Sequence, residues 1–275
     1  MIPAKFEYRR AGSVDEALAL AGQDPDGAKF LAGGHSLLPL MKLRLATPSL
    51  LVDIGRLRDL SYVRDEGDHV AIGALTRHRD LEVSDVAREH VPLLARVAGQ
   101  VGDPQVRHRG TIGGSLAHGD PASDLPAAVL ALGGTLVVRG AGGTREVPAE
   151  GFFQGFLETA MAPGELLTEI RVPKTSGGWS FQKFNRRAQD WAIVGVAAVV
   201  DGTPRVALVN MGSTPLRARG VEAALSGGAT PADAAERAGD GLDPPADLQA
   251  SAEYRNHLAR VLVRRALEEA TAGRG

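Results

Sequence analysis

The chain contains no cysteine. That absence excludes disulfides, Cys-ligated zinc, a cysteine nucleophile and any iron–sulfur cluster held by this polypeptide, and it accords with a reducing compartment. Neither sign of charge dominates, with 31 Lys and Arg against 33 Asp and Glu. No global field therefore recruits nucleic acid or an anionic membrane. Apolar runs of the ~20 residues needed for a membrane span are missing. The polar start MIPAKFEYRRAG lacks the apolar centre of a signal peptide, so a cytoplasmic protein is expected. What remains is an ordinary globular composition, 44% hydrophobic and 23% charged over 275 residues. That is enough for one large domain or two modest ones.

Short apolar runs broken by turns organise the first two-thirds. Ser13-Val14-Asp15-Glu16 reads as a capping box opening a helix, with Val14, Ala17, Leu18 and Ala21 on one face. After the Asp24-Pro25-Asp26-Gly27 turn, residues 28–31 read as a strand, as do 50–53 and 70–73. Residues 91–101 form an apolar helical face that closes at Gly102-Asp103-Pro104. Residues 135–139 and 144–147 flank Gly140-Ala141-Gly142-Gly143 as a hairpin, and 166–172 is a strand ending at Pro173. Thr175-Ser176-Gly177-Gly178 reads as a linker. Beyond it lie three strand-like runs, 181–184, 192–200 and 206–211, and two helices. The last helix starts near Ser251 and carries Tyr254, Leu258, Val261, Leu262 and Arg265 at helical spacing, a face that reads as core. The expected fold class is α+β: an α/β part, residues 1–176 with a division near 55–60, and a smaller part, 177–275, with a three-stranded antiparallel sheet and helices. No repeat is visible.

Two loops stand out. AGGHS at 32–36 and TIGGS at 111–115 each place paired glycines and a small hydroxyl residue before an apolar segment. Backbone amides at such turns form a concavity for oxyanions, and glycine keeps Cβ atoms out of a ligand's way. Two facing loops could hold a pyrophosphate without a cationic side chain, although tight turns without a ligand have the same pattern. No stretch fits G-x-x-x-x-G-K-[ST]. Gly140-Ala141-Gly142 is no dinucleotide fingerprint, because Arg145 replaces the third glycine and no helix follows.

In their longer context, AGGHSLLPLMKLRLA and TIGGSLAHGDPASDLP resemble the paired FAD-binding signatures of the flavin-carrying medium subunit of molybdenum hydroxylases, the family of aerobic carbon monoxide dehydrogenases and separate-subunit xanthine dehydrogenases. KFNRRAQDWAIVGVAAVV at 183–200, MGSTPLRA at 211–218 and DLQASAEYRNHLARVLVRRAL at 247–267 resemble that family's C-terminal domain. The resemblance implies non-covalent FAD. It also implies a small partner subunit with two [2Fe–2S] clusters and a large one with a molybdenum cofactor, arranged as a dimer of heterotrimers. Electrons would arrive from the clusters and leave to an external acceptor. By the same resemblance Ala32, Gly33, Gly34, His35 and Ser36, with Thr111, Ile112, Gly113, Gly114 and Ser115, cradle the pyrophosphate. Asp124 contacts the flavin's polar chain, Lys183 lies near the isoalloxazine, and Leu167 (or Leu166) packs on the ring. Trp191 stands where many relatives have tyrosine and would shield the flavin face.

The remaining chemistry-bearing residues read more plainly. His35 has no companion at metal-ligand spacing, so an amide-plus-imidazole contact to phosphate is expected rather than a metal site or covalent flavin link. His118 and Asp120 suit loop hydrogen bonding. Asp124 suits an N-cap for the helix through Leu132. Arg107-His108-Arg109 and Arg186-Arg187 suit a solvated face, cofactor proximity or subunit docking, and no aromatics interleave with them for nucleic acid. No catalytic acid–base pair or metal site is expected. A free-standing FAD oxidoreductase of the same fold and a cofactor-free assembly module are the rival readings.

Overall fold

The structure, a computed structural model, describes residues 2–273. The first sheet is parallel: Glu7–Arg10 and Ala28–Leu31 both pair with a central Leu50–Asp53, in register Glu7 and Ala28 with Leu50. Leu50, Leu51 and Val52 are buried in succession because the central strand is covered on both faces. Val14–Ala21 packs on this sheet through Ala17 and Ala21. Ser13 Oγ accepts from the Glu16 amide at 3.1 Å, but Glu16 reaches back to the Gly12 amide at 2.7 Å. The expected capping box is thus displaced by one residue.

The second sheet has the order Val63–Asp65, His69–Gly73, Leu166–Pro173, Thr135–Gly140, Gly143–Pro148, and the last two form the expected glycine hairpin. The C-terminal sheet contains Gly178–Phe184, Val194–Val200 and Arg205–Val209, as the apolar runs foretold. A fourth strand, Leu216–Arg217, makes it four-stranded rather than three; two residues are too few to leave a periodic trace. Three helices, not two, complete this part: Arg219–Ser226, Pro231–Ala235 and Ala252–Thr271.

The run from Val194 to Val200 is apolar throughout because both faces of this sheet are buried. Val194, Val196 and Ala198 face the terminal helix, whereas Ala197 and Val199 join the core around Asp124–Leu132. All nine residues of that helix are buried, so it reads as apolar all round. It welds the two parts of the chain together. Gly177 and Gly178 are no flexible linker either. A Cβ on Gly178 would overlap the Ala270 carbonyl, and one on Gly177 would overlap that of Val200. On the terminal helix the buried face runs through Arg255, Leu258, Ala259, Leu262 and Val263, while Tyr254 is 43% exposed. Tyr254 therefore is not core. No helix among the described residues is long and apolar enough to cross a membrane.

Candidate functional site

The Ala28–Leu31 strand delivers the first glycine loop at the carboxyl end of the parallel sheet, the usual place for a ligand crevice in such sheets. The second loop follows helix Pro104–Arg109 and opens helix Ile112–His118, where Thr111 Oγ1 accepts from the Gly114 amide at 3.1 Å. Both loops border one cavity of about 850 Å³, large for a small-molecule or cofactor site. Its lining includes thirteen of the fourteen residues singled out from sequence: Ala32, Gly33, Gly34, His35, Ser36, Thr111, Gly113, Gly114, Ser115, Asp124, Leu167, Lys183 and Trp191. Leu166 lines it too. Ile112 does not; it is fully buried in the core beneath the loop.

The glycines answer mainly to the protein itself. A Cβ on Gly33 would strike the Arg109 carbonyl oxygen and lie 2.9 Å from Gly110 Cα, so the two loops touch backbone to backbone. A Cβ on Gly113 would lie 2.5 Å from both Ala74 Cβ and the Ala74 carbonyl. Gly34 alone of the four has a left-handed backbone, with φ of 80°. Arg77, half-buried with its pKa lowered by burial, donates to the Arg109 carbonyl and fixes the loop contact from behind.

The two loops differ in what they offer. Among the described residues, none of the amides from Ala32 to Ser36 donates to another protein group. In the second loop, Ile112 donates to the Thr76 carbonyl at 3.0 Å, Gly113 to that of Ala74 at 2.9 Å, and Gly114 to Thr111 Oγ1. The amide concavity belongs to the first loop. The second presents the exposed Gly114 surface and the Ser115 side chain instead.

Across the cavity, Lys183 Nζ donates to Asp124 Oδ2 at 2.6 Å, and both side chains are buried. Asp124 is therefore not a cap. Ser123 holds the cap position without a side-chain hydrogen bond, and Asp124 begins the helix with its carboxylate turned to Lys183. Burial pushes the Asp124 pKa up to about 6, partly opposed by Lys183. Its Oδ1 has no protein partner, leaving an acceptor at the cavity wall. Trp191, 52% exposed, sits at the rim on a strap whose Asp190 carboxylate takes the Trp191 amide and the Arg187 guanidinium, both at 2.9 Å. Gln189 on this strap is left-handed, with φ of 60°, and its carbonyl abuts Gly102.

Sequence reasoning passed over His78, which lines the cavity behind the loops, is 4% exposed and has an unpartnered Nδ1. Burial pulls its pKa down to about 4, with Arg77, His35 and Arg107 adding repulsion. No motif flagged it, because nothing local announces burial. His118 also lines the cavity, while Asp120 accepts from the Ala122 amide at 2.9 Å. Arg107 is no solvated charge. It lies 3.3 Å from Glu82 and donates to the Val101 carbonyl at 2.8 Å.

A family model for the FAD binding domain in molybdopterin dehydrogenase matches residues 4–175, and one for the CO dehydrogenase flavoprotein C-terminal domain matches 179–270. The chain belongs to the FAD-binding medium subunits of the carbon monoxide dehydrogenase and molybdopterin hydroxylase family, an oxidoreductase flavoprotein group. It is 44% identical to the carbon monoxide dehydrogenase medium chain of Hydrogenophaga pseudoflava, over 99% of each chain. A solved carbon monoxide dehydrogenase from that organism superposes with a TM-score of 0.96 at 46% identity, covering 99% of both chains. The 6-hydroxypseudooxynicotine dehydrogenase complex subunit alpha of Paenarthrobacter nicotinovorans is 38% identical over 98% of this chain and 96% of its own.

Proposed function

We propose that this chain is the electron-transfer subunit of a three-component molybdenum hydroxylase, taking electrons from [2Fe–2S] clusters on a small partner and passing them to an external acceptor. The molybdenum cofactor would sit on a large partner, in a cytoplasmic dimer of heterotrimers. One observation carries the reading: two sequence-distant glycine loops and the Asp124–Lys183 pair converge on a single cavity. The same reading divides the chain at 176/177 and, within the first part, near 55–60, in the gap between Asp53 and Val63 that separates the two sheets.

The cavity residues fit FAD. Five free amides from Ala32 to Ser36 suit a pyrophosphate, Ser115 and the Gly114 surface would meet its other side, and the spare Asp124 Oδ1 would accept from a hydroxyl or N–H of the cofactor. Leu167 and Trp191 supply apolar and aromatic surface for a planar ring. When bound, FAD supplies a redox centre that exchanges electrons singly or in pairs. Lys183 acts there as one half of an ion pair, so its field on the ring is that of the pair rather than of a lone cation. The protein's tasks are orientation, burial and shielding, and none of them needs an acid–base residue. The substrate oxidised by the complex is decided on the large partner; relatives of similar closeness bear the names of different substrates. Purification from the native host under mild conditions tests the subunit reading. Co-elution with iron–sulfur and molybdenum chains is expected. A solitary flavoprotein that oxidises an organic substrate by itself would overturn it.

A further inference from the structure

The terminal helix carries one residue that its apolar face does not explain. Arg255 is fully buried among Leu258, Ala259, Leu262 and Val263. A buried guanidinium is costly unless its donors are satisfied, so the acceptors it finds are informative. Nη2 donates to Asp247 Oδ2 at 2.7 Å. Nη1 donates to the Ile193 carbonyl and, at 3.5 Å, to the Asn210 carbonyl.

One carbonyl ends a segment that walls the cavity, and the other belongs to a residue hydrogen-bonded to a second such segment. Ile193 lies two residues after Trp191. Asn210, left-handed at φ 61°, donates its side-chain amide to the Ala192 carbonyl and its backbone amide to the Pro121 carbonyl, each at 2.8 Å. Pro121 opens the turn through Ala122 and Ser123 to Asp124, and those three residues line the cavity. The other end of the Trp191 strap is held by exposed contacts, Asn185 to the Arg187 carbonyl and Arg187 to Asp190, which contribute little in water. The buried end is the firm one.

We propose that Arg255 is a positioning residue for the cavity: anchored by Asp247, its guanidinium holds the Trp191 strap through Ile193 and the Pro121 turn through Asn210. Two walls are thereby set from a helix that contributes nothing to the lining. A planar fork reaching three acceptors is a task for arginine; lysine, a single point of charge, would release at least one of them.

The test uses the full chain with Trp179→Phe, which leaves Trp191 as the one indole. Time-resolved anisotropy reports strap motion without flavin, and FAD titration reports cavity shape; only the second rests on the FAD assignment. Arg255→Met and Arg255→Lys should add a fast depolarisation component and weaken FAD by roughly tenfold, whereas Leu262→Ala, a core truncation on the same helix, should leave both within about twofold. Arg255→Met behaving like Leu262→Ala at matched loss of Tm would overturn the proposal. Should Arg255→Met not fold, Asp247→Asn decides it: Asp247 is 45% exposed, and asparagine keeps the Oδ1 that accepts from the Gln249 and Ala250 amides while it removes the Oδ2 that anchors the guanidinium. In that variant, unchanged anisotropy and FAD affinity overturn the proposal. A wild-type chain that takes no FAD sinks the cofactor assignment, while the anisotropy still decides the role of Arg255.

Discussion

Replacing His78 with glutamine should make the flavin-free chain more resistant to acid. The imidazole is nearly sealed, with the Gly110 backbone against its ring and Arg77, Arg107 and His35 as its charged neighbours. Its folded pKa, about 4, lies below the 6.5 of an unperturbed imidazole. Stability from its neutral form is thus fully present above 6.5 and is lost as pH falls toward 4. Between pH 7 and pH 5 this amounts to roughly 2 kcal/mol. Asp124 runs the other way: its folded pKa, about 6, exceeds 3.8, so its contribution is present below 3.8 and lost as pH rises through 6. In the wild type it masks part of the His78 effect, so only the difference between the two proteins is clean. Urea denaturation at both pH values measures that difference. The gap between His78→Gln and wild type should shift by about 2 kcal/mol toward the variant on acidification. Parallel pH dependences would refute the burial argument.

Other outcomes follow from the same geometry. Lys183→Met leaves the Asp124 carboxylate buried without its counter-charge and should cost about 3–5 kcal/mol by urea titration, while adding Asp124→Leu recovers most of it; additive losses would contradict this. Gly33→Ala and Gly113→Ala should each cost more than about 2 kcal/mol, because the added Cβ meets backbone. Gly114→Ala should cost less than about 1 kcal/mol, since its one close neighbour is the Thr111 hydroxyl at 2.8 Å and alanine favours the helix. Equal losses in thermal melts would show that the loop contacts are misassigned. Trp191→Ala should change stability by under about 1 kcal/mol yet raise the emission of bound flavin; unchanged emission means the indole does not shield the ring.

Much of this was legible in the chain because local chemistry wrote it down. The alternation at 166–172 and the apolar block at 192–200 are written in the residues of the strands themselves, and the glycine pairs mark a close backbone approach whatever it is that approaches. What escaped depends on distant partners. Lys183 and Asp124 are 59 residues apart, so a capping role for Asp124 was as readable as an ion pair. Gly33 marks the approach of Arg109 and Gly110, far along the chain, and a sequence cannot distinguish such an approach from that of a ligand. The second loop looked like the first in sequence, yet its amides are consumed by Thr76, Ala74 and Thr111. Arg255 sits at a helical position that any solvated arginine could hold.

The most direct measurement is the visible spectrum of the purified chain after incubation with FAD and gel filtration. Bands near ~370 and ~450 nm, at about one flavin per chain and released by acid precipitation, are the predicted result for a non-covalent cofactor. A folded chain that emerges colourless would contradict it.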